Sequence, residues 1–120
     1  MRAIRGAICA ENTKESILKN TTELLREIFE ANDLDNGQVI SITFAVTRDL
    51  DAVFPAVAAR DLGLTSASLL CLQSMDVVGA LPKCIRVEVL ADINLAQSQV
   101  KHIYLGGAEV LRPDLVEGAK

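Results

Sequence analysis

Tryptophan is missing from this 120-residue chain, and aromatic residues make up only 3% of it. A surface that stacks nucleic-acid bases needs rings, so that class of partner loses its main device. Basic charge is short as well. Twelve Lys and Arg against 16 Asp and Glu leave a formal net charge of −4, the wrong sign for a nucleic-acid or anionic-membrane surface. Histidine occurs once, at His102, and cysteine three times, at Cys9, Cys71 and Cys84, with no CxxC spacing. A zinc site within one chain needs about four clustered ligands, so no metal is expected. An odd cysteine count suits a reducing compartment better than a disulfide scaffold. No run of about eighteen apolar residues is present, so no membrane-spanning helix is expected. Met1-Arg2-Ala3-Ile4-Arg5 leads to Glu11 without the apolar stretch of a secretory signal, which points to a cytoplasmic chain. Phosphate loops of the GxxxxGK type and GxSxG nucleophile turns are also missing.

Half of the residues are apolar. That is enough for one core, and the expectation is a single domain over residues 1–120 with an exposed, flexible tail from about residue 113. Arg2 to Ala10 reads as a strand. Asn12 to Glu15 has the pattern of a capping box with Asn12 as cap, and Ile17, Leu18, Leu24, Leu25, Ile28 and Phe29 then trace one helical stripe. Val39 to Val46 is β-branched, and strict alternation puts Ile40, Ile42, Phe44 and Val46 on one face. Phe54 to Leu62 reads as a short helix, with Pro55 near its start and Gly63 beyond its end. Strands follow at 68–72, 83–92 and 101–105, with a turn at 79–82 and a helical turn at 95–99. In the 83–92 strand, Cys84, Arg86, Glu88 and Leu90 share one face, and Ile85, Val87, Val89 and Ala91 the other. The order predicts an α+β sheet with helices on one face. The uncovered face also needs burial, which favours a closed oligomer.

The chemistry left open by these absences rests on arginines in apolar company: Arg5, Arg60, Arg86 and Arg112. A guanidinium presents a planar fork that matches a carboxylate in two parallel hydrogen bonds. Arg86 is the most informative, because it sits mid-strand and a buried cation there is costly unless paired. The ordinary reading of such a residue is a salt bridge, here with Glu88, or a solvated sheet face. Cys71 and Cys84 read as small buried hydrophobes, His102 as an interface or surface residue, and Asp76 as a turn residue.

Six segments, in register along nearly the whole chain, resemble the AroH-type chorismate mutases. They are Ile4-Arg5-Gly6-Ala7, Asp51-Ala52-Val53-Phe54-Pro55-Ala56, Cys71-Leu72-Gln73-Ser74-Met75-Asp76-Val77, Lys83-Cys84-Ile85-Arg86-Val87, His102-Ile103-Tyr104-Leu105 and Val110-Leu111-Arg112-Pro113-Asp114-Leu115. The resemblance implies a ferredoxin-like mixed β-sheet assembled as a trimeric pseudo-barrel, with active sites between neighbouring subunits. It implies rearrangement of chorismate to prephenate in aromatic amino-acid biosynthesis, with no cofactor. It also implies roles for individual residues. Arg5 and Tyr104 would hold the side-chain carboxylate, and Arg86 would reach that carboxylate and the ether oxygen. Arg60 would lie near the ring carboxylate at the pocket mouth. Phe54, Ala56 and Leu111 would wall the pocket, Cys71 would offer its backbone to the ring hydroxyl, and Arg112 would belong to a segment that closes over the site.

Two positions depart from the family pattern. Ser74 stands where the family usually has a glutamate facing the ring hydroxyl, and Val57 stands where a lysine is common. The first departure opens an alternative, a trimer that binds chorismate or prephenate for regulation with little or no turnover. A trimeric enamine/imine deaminase of similar fold is a third reading, although that family's characteristic segments are not evident in this sequence.

Overall fold

A single extra residue sets the register of the sheet. The computed structural model describes residues 1–112, and the tail expected from about residue 113 lies outside them. Strands β1 (Arg2–Cys9), β2 (Val39–Val46), β3 (Ser68–Gln73), β4 (Cys84–Ala91) and β5 (Ile103–Leu105) form one sheet in the order β3-β2-β4-β1-β5. Strands β1 and β2 both run antiparallel to β4, while β3 lies parallel to β2 and β5 parallel to β1. In β2, Val39 pairs with Ala91 and Ser41 with Leu90, so Ile40 is a bulge. One unpaired residue inverts the alternation before it. Val39 therefore joins Ile42 and Phe44 in the core, and Ile40 is 44% exposed rather than sharing their face.

Helices α1 (Lys14–Ala31) and α2 (Ala56–Asp61) pack against the same face of the sheet, in the expected mixed α+β arrangement. The buried stripe of α1 is Ile17, Thr21, Leu24, Leu25 and Ile28. Leu18 lies at its margin, half-buried. Thr21 fits the stripe because its hydroxyl donates to the Ile17 carbonyl at 2.7 Å and leaves nothing unsatisfied. The helix is capped by Thr13, whose Oγ1 accepts from the Ser16 amide at 3.0 Å. Asn12 is not the cap. Its side chain is already committed to the 51–52 loop, accepting from the amides of Asp51 and Ala52 and donating to the Asp51 carboxylate.

At the far end of α1, the buried Asn32 amide staples helix to sheet. It donates to the carbonyls of Ile28 and Lys101 and accepts from the Lys101 amide, fixing the approach to β5. Gly6 makes that approach possible. A Cβ at Gly6 would lie 2.7 Å from the Ile103 carbonyl oxygen and 2.9 Å from Ile28 Cδ1. Helix α2 starts after Pro55 and ends before Gly63 at φ +89°, as the sequence pattern requires.

Ile4, Ile8, Ile42, Phe44, Ile85, Val87 and Val89 meet the helices. The opposite face carries Arg5, Ala7, Cys9, Thr43, Ala45, Cys84, Arg86, Glu88 and Tyr104; among the described residues no α-helix lies over it, and only the 3-10 turn Ala108–Leu111 packs on it, against Ala7, Cys84 and Tyr104. Leu70 and Leu72, also on that side of the edge strand β3, are 53% and 48% exposed.

Candidate active site

Strand alternation brings Arg5 and Arg86 onto the uncovered face. Arg5 pairs with Glu88 across β1 and β4, and Arg86 pairs with Ala7, so the two arginines sit diagonally on adjacent strands. A cleft of about 240 Å³ is lined by Arg5, Gly6, Arg86, Val87, Tyr104, Leu111 and Arg112. A second, of about 550 Å³, shares Arg5 and Arg86 and adds Thr43, Ser74, Met75 and Glu88 among its walls. Six of the expected site residues are thus gathered on one face: Arg5, Ser74, Arg86, Tyr104, Leu111 and Arg112.

Arg86 is held half-buried with its Nε hydrogen unpartnered among the described residues, and the Ser74 hydroxyl is buried and unpartnered as well. An orphaned buried donor costs about 1–3 kcal/mol, so both atoms mark places where a ligand would be rewarded. No ion pair joins Arg86 to Glu88 among the described residues, so the salt-bridge account of this strand arginine does not apply.

The backbone that carries Arg86 is tightly anchored. Thr47 Oγ1 accepts from the Cys84 amide at 3.0 Å and donates to Asp49, whose carboxylate takes the Lys83 amide at 3.0 and 3.1 Å. The Thr47 hydroxyl, ahead of the Lys83 amide, holds the Asp49 carboxyl below its usual range. Ser74 is fixed from two sides. Its amide donates to the Val46 carbonyl at 2.8 Å, and Arg48 pairs with Asp76 at 2.9 Å. Both members of that pair are well exposed, so it guides the segment more than it stabilises it. Asp76, expected to fix a turn, instead ties its segment to Arg48, 28 residues away.

His102 sits within the site's framework, a place that its sequence context did not reveal. Its Nδ1 accepts from the Arg5 amide at 2.9 Å, which places its proton on Nε2. Burial, then the charges of Arg112 and Arg5, push its pKa below the usual value. Neutral His102 thus continues the β1–β5 ladder one step beyond Gly6 and Ile103. Leu111 ends a 3-10 turn, Ala108–Leu111, and is half-buried beside Tyr104, so the chain at this point is packed rather than an exposed tail.

The remaining expected residues lie elsewhere. Phe54, 68% exposed, and Cys71 line a different cleft of about 570 Å³ at the β3 edge, together with Arg48, Val53, Pro55 and Gln73. Cys71 is on the helix side of the sheet, two strands from Arg86, about 10 Å away in the plane and on the opposite face. Ala56 does not wall either cleft. It is buried in the core under α2, because the first turn of that helix needs a small residue to seat on the sheet. Arg60 is on the solvent side of the last turn of α2 and lines neither cleft. Within one protomer, then, the expected set divides into an arginine-rich half and an apolar half. Glu88 was not expected in the site, and alternation with Arg86 was the signal that could have found it.

No helix among the described residues is long and apolar enough to cross a membrane. Residues 1–115 match the family described as chorismate mutase type I. The chain is 44% identical over 117 residues to Chorismate mutase AroH of Bacillus subtilis (strain 168), covering 96% of this chain and 92% of that protein. It is 43% identical over 117 residues to Chorismate mutase AroH of Thermus thermophilus, covering 96% of each. Among solved structures, a chorismate mutase from Clostridium thermocellum superimposes with a TM-score of 0.88 at 48% identity, covering 90% of this chain and 97% of that one. With its arginine cleft, its mixed sheet and this near full-length likeness, the chain belongs to the type I chorismate mutase family.

Proposed function

We propose that this protein rearranges chorismate to prephenate in a cleft built by two neighbouring subunits of a trimer. The carrying observation is the Arg86 guanidinium, half-buried beside Arg5 and Tyr104 with a buried Nε that has no hydrogen-bond partner among the described residues. The division of the site supports the shared cleft. The arginine half lies on the open face towards β5, and the Phe54–Cys71 half lies at the opposite edge, so one copy's edge can complete another's face. Exposed Leu70, Leu72 and Phe54 provide apolar area for that contact. A trimer closes such a heterologous contact into a ring.

The reaction is unimolecular: one carbon–oxygen bond breaks as a carbon–carbon bond forms, and no proton moves. The protein contributes in two ways. Arg5 and Tyr104 grip the side-chain carboxylate and, with Phe54 and Leu111 as walls, hold the folded conformer in which the reacting ends meet. Arg86 reaches the same carboxylate and the ether oxygen, where negative charge grows in the transition state. Cys71 offers its backbone, and Ser74 its hydroxyl, to the ring hydroxyl. Arg60 faces the ring carboxylate from the partner's rim, Ala56 seats the helix start that carries Phe54, and Arg112 closes the cleft. The regulatory reading would keep Arg5 and Arg86 as well, and no observation favours it; the relatives matched over nearly the whole chain carry the name chorismate mutase.

Loss of chorismate absorbance in the ultraviolet, with prephenate as product, tests the activity. Mixing tests the shared cleft. Arg86→Ala and Phe54→Asp proteins, each inactive alone, should regain activity when their subunits are exchanged, because some clefts then receive both intact halves. No recovery after verified exchange would overturn the shared site.

A further inference from the structure

The β1–β4 register sets Cys9 directly opposite Cys84. Their neighbours Ala10 and Lys83 share a backbone hydrogen bond at 3.0 Å, and both backbone groups of Cys84 turn the other way, towards Thr47. Antiparallel ladders alternate, so Cys9 and Cys84 form a non-hydrogen-bonded pair, where Cα atoms approach to about 4.5 Å and side chains are closest. That separation falls inside the window of about 4.4–6.8 Å that a disulfide spans. Both thiols are free, point to the same face and pack in one small cluster with Ala7, Tyr104 and Ala108.

Access distinguishes the two. Cys84 is fully buried, whereas Cys9 is half-buried under Gly107. A Cβ at Gly107 would lie 3.3 Å from the Cys9 sulfur, and its φ of +98° disfavours any side chain there. Gly107 adds no side chain over the Cys9 sulfur, and Cys9 stays partly exposed in the separate chain.

We propose that Cys9 and Cys84 are a reversible dithiol–disulfide pair, closed by a low-molecular-weight disulfide, with Cys9 attacking and Cys84 resolving. The Cys9 thiolate attacks one sulfur of the reagent RSSR, whose S–S bond breaks and releases one RS⁻. The Cys84 thiolate then attacks the Cys9 sulfur of the mixed disulfide and expels the second RS⁻. The chain loses two electrons and two protons, and RSSR becomes two RSH. Cys84 also faces Arg86, so tying its sulfur to Cys9 removes a contact from the guanidinium. The charged and titratable groups facing the pair are Glu109 at Cys9, and Arg86 and Asp49 at Cys84. Burial first, then Glu109, holds the Cys9 thiol above its usual range, so exchange is slow at neutral pH.

Full-length protein incubated with oxidised glutathione tests this by intact mass and peptide mapping, readouts that need no substrate and stand apart from the catalytic reading. The expected product lacks two hydrogens, links the Cys9 and Cys84 peptides, leaves Cys71 free and reverts with dithiothreitol. Cys9→Ser and Cys9→Ala should both abolish the link, and Glu109→Gln should speed it. Chorismate turnover of the oxidised protein should fall about 3- to 10-fold, what one net hydrogen bond is worth. A persistent glutathione adduct on Cys9, a link through Cys71, or unmodified thiols would overturn the pair. A closed pair with unchanged turnover would overturn its connection to Arg86.

Discussion

Replacing Arg86 with citrulline keeps the size, planarity and most hydrogen-bond donors of the side chain and removes its charge. The Nε hydrogen of Arg86 is buried and unpartnered, so that side of the half-buried guanidinium is shielded from water before substrate arrives. A charge in that setting acts through a low effective dielectric. About half a negative charge on an oxygen about 3 Å away is stabilised by about 3 kcal/mol at a dielectric of 20, and by nearly twice that at 10. The expected loss in kcat is therefore about 10²- to 10⁴-fold. The assay is the ultraviolet decay of chorismate, with kcat and KM determined separately for wild type and the semisynthetic variant. KM should change less than kcat, because the charge that matters develops only in the transition state. A citrulline variant with near-normal kcat would show that donor geometry alone suffices, and the electrostatic argument would fail.

Three further perturbations have readable outcomes. His102 is the only histidine, and its pKa lies below the usual value through burial first and then the Arg112 and Arg5 charges. The unfolded chain takes up that proton first, so this contribution to stability is full above about pH 6.5 and is lost as pH falls through the folded pKa. Melting temperature should drop across that window, and His102→Gln should flatten this part of the profile. Gly6→Ala forces a methyl group into the Ile103 carbonyl and Ile28, and should lower stability by about 1–3 kcal/mol in denaturant titration while also reducing turnover. Glu88→Gln removes a negative charge directly opposite Arg5, and should lower KM for the dianionic substrate, an effect that shrinks with added salt.

Much of this architecture was legible because it follows local rules. The β4 alternation that separates Arg86 from Val87 needs only a period of two, and Pro55 and Gly63 bracket α2 through their own backbone preferences. Where the reading missed, a distant partner had decided the matter. Asn12 has the chemistry of a cap, but the 51–52 loop claims its side chain, and Thr13 takes the role one residue later. Ile40 continues a hydrophobic alternation, but the pairing of β2 with β4 inserts it as a bulge. Cys9 and Cys84 are 75 positions apart, and only the strand register reveals that they face each other. The site residues were found through family resemblance rather than periodicity. Their division between two regions of the protomer was not readable from spacing, because spacing does not say which face or edge each strand occupies.

The placement of Arg86 has a physical cost that clarifies why the open face should exist at all. Had a third helix covered β1, β4 and β5, the two arginines would have needed permanent carboxylate partners, and a carboxylate so placed would compete with the substrate. Leaving the rest of the face open beyond the 108–111 turn lets water solvate Arg5 in the separate chain, and the Nε of half-buried Arg86 is left without a partner. In the proposed trimer, burial of the remaining apolar surface would fall to an adjoining copy, which could exclude water without supplying a counter-charge. On this argument a carboxylate engineered to pair directly with Arg86, such as Ala45→Asp on the adjacent strand, should raise the melting temperature and abolish turnover together. A variant of that kind with higher stability and intact kcat would mean that an unpaired guanidinium is not what the site requires.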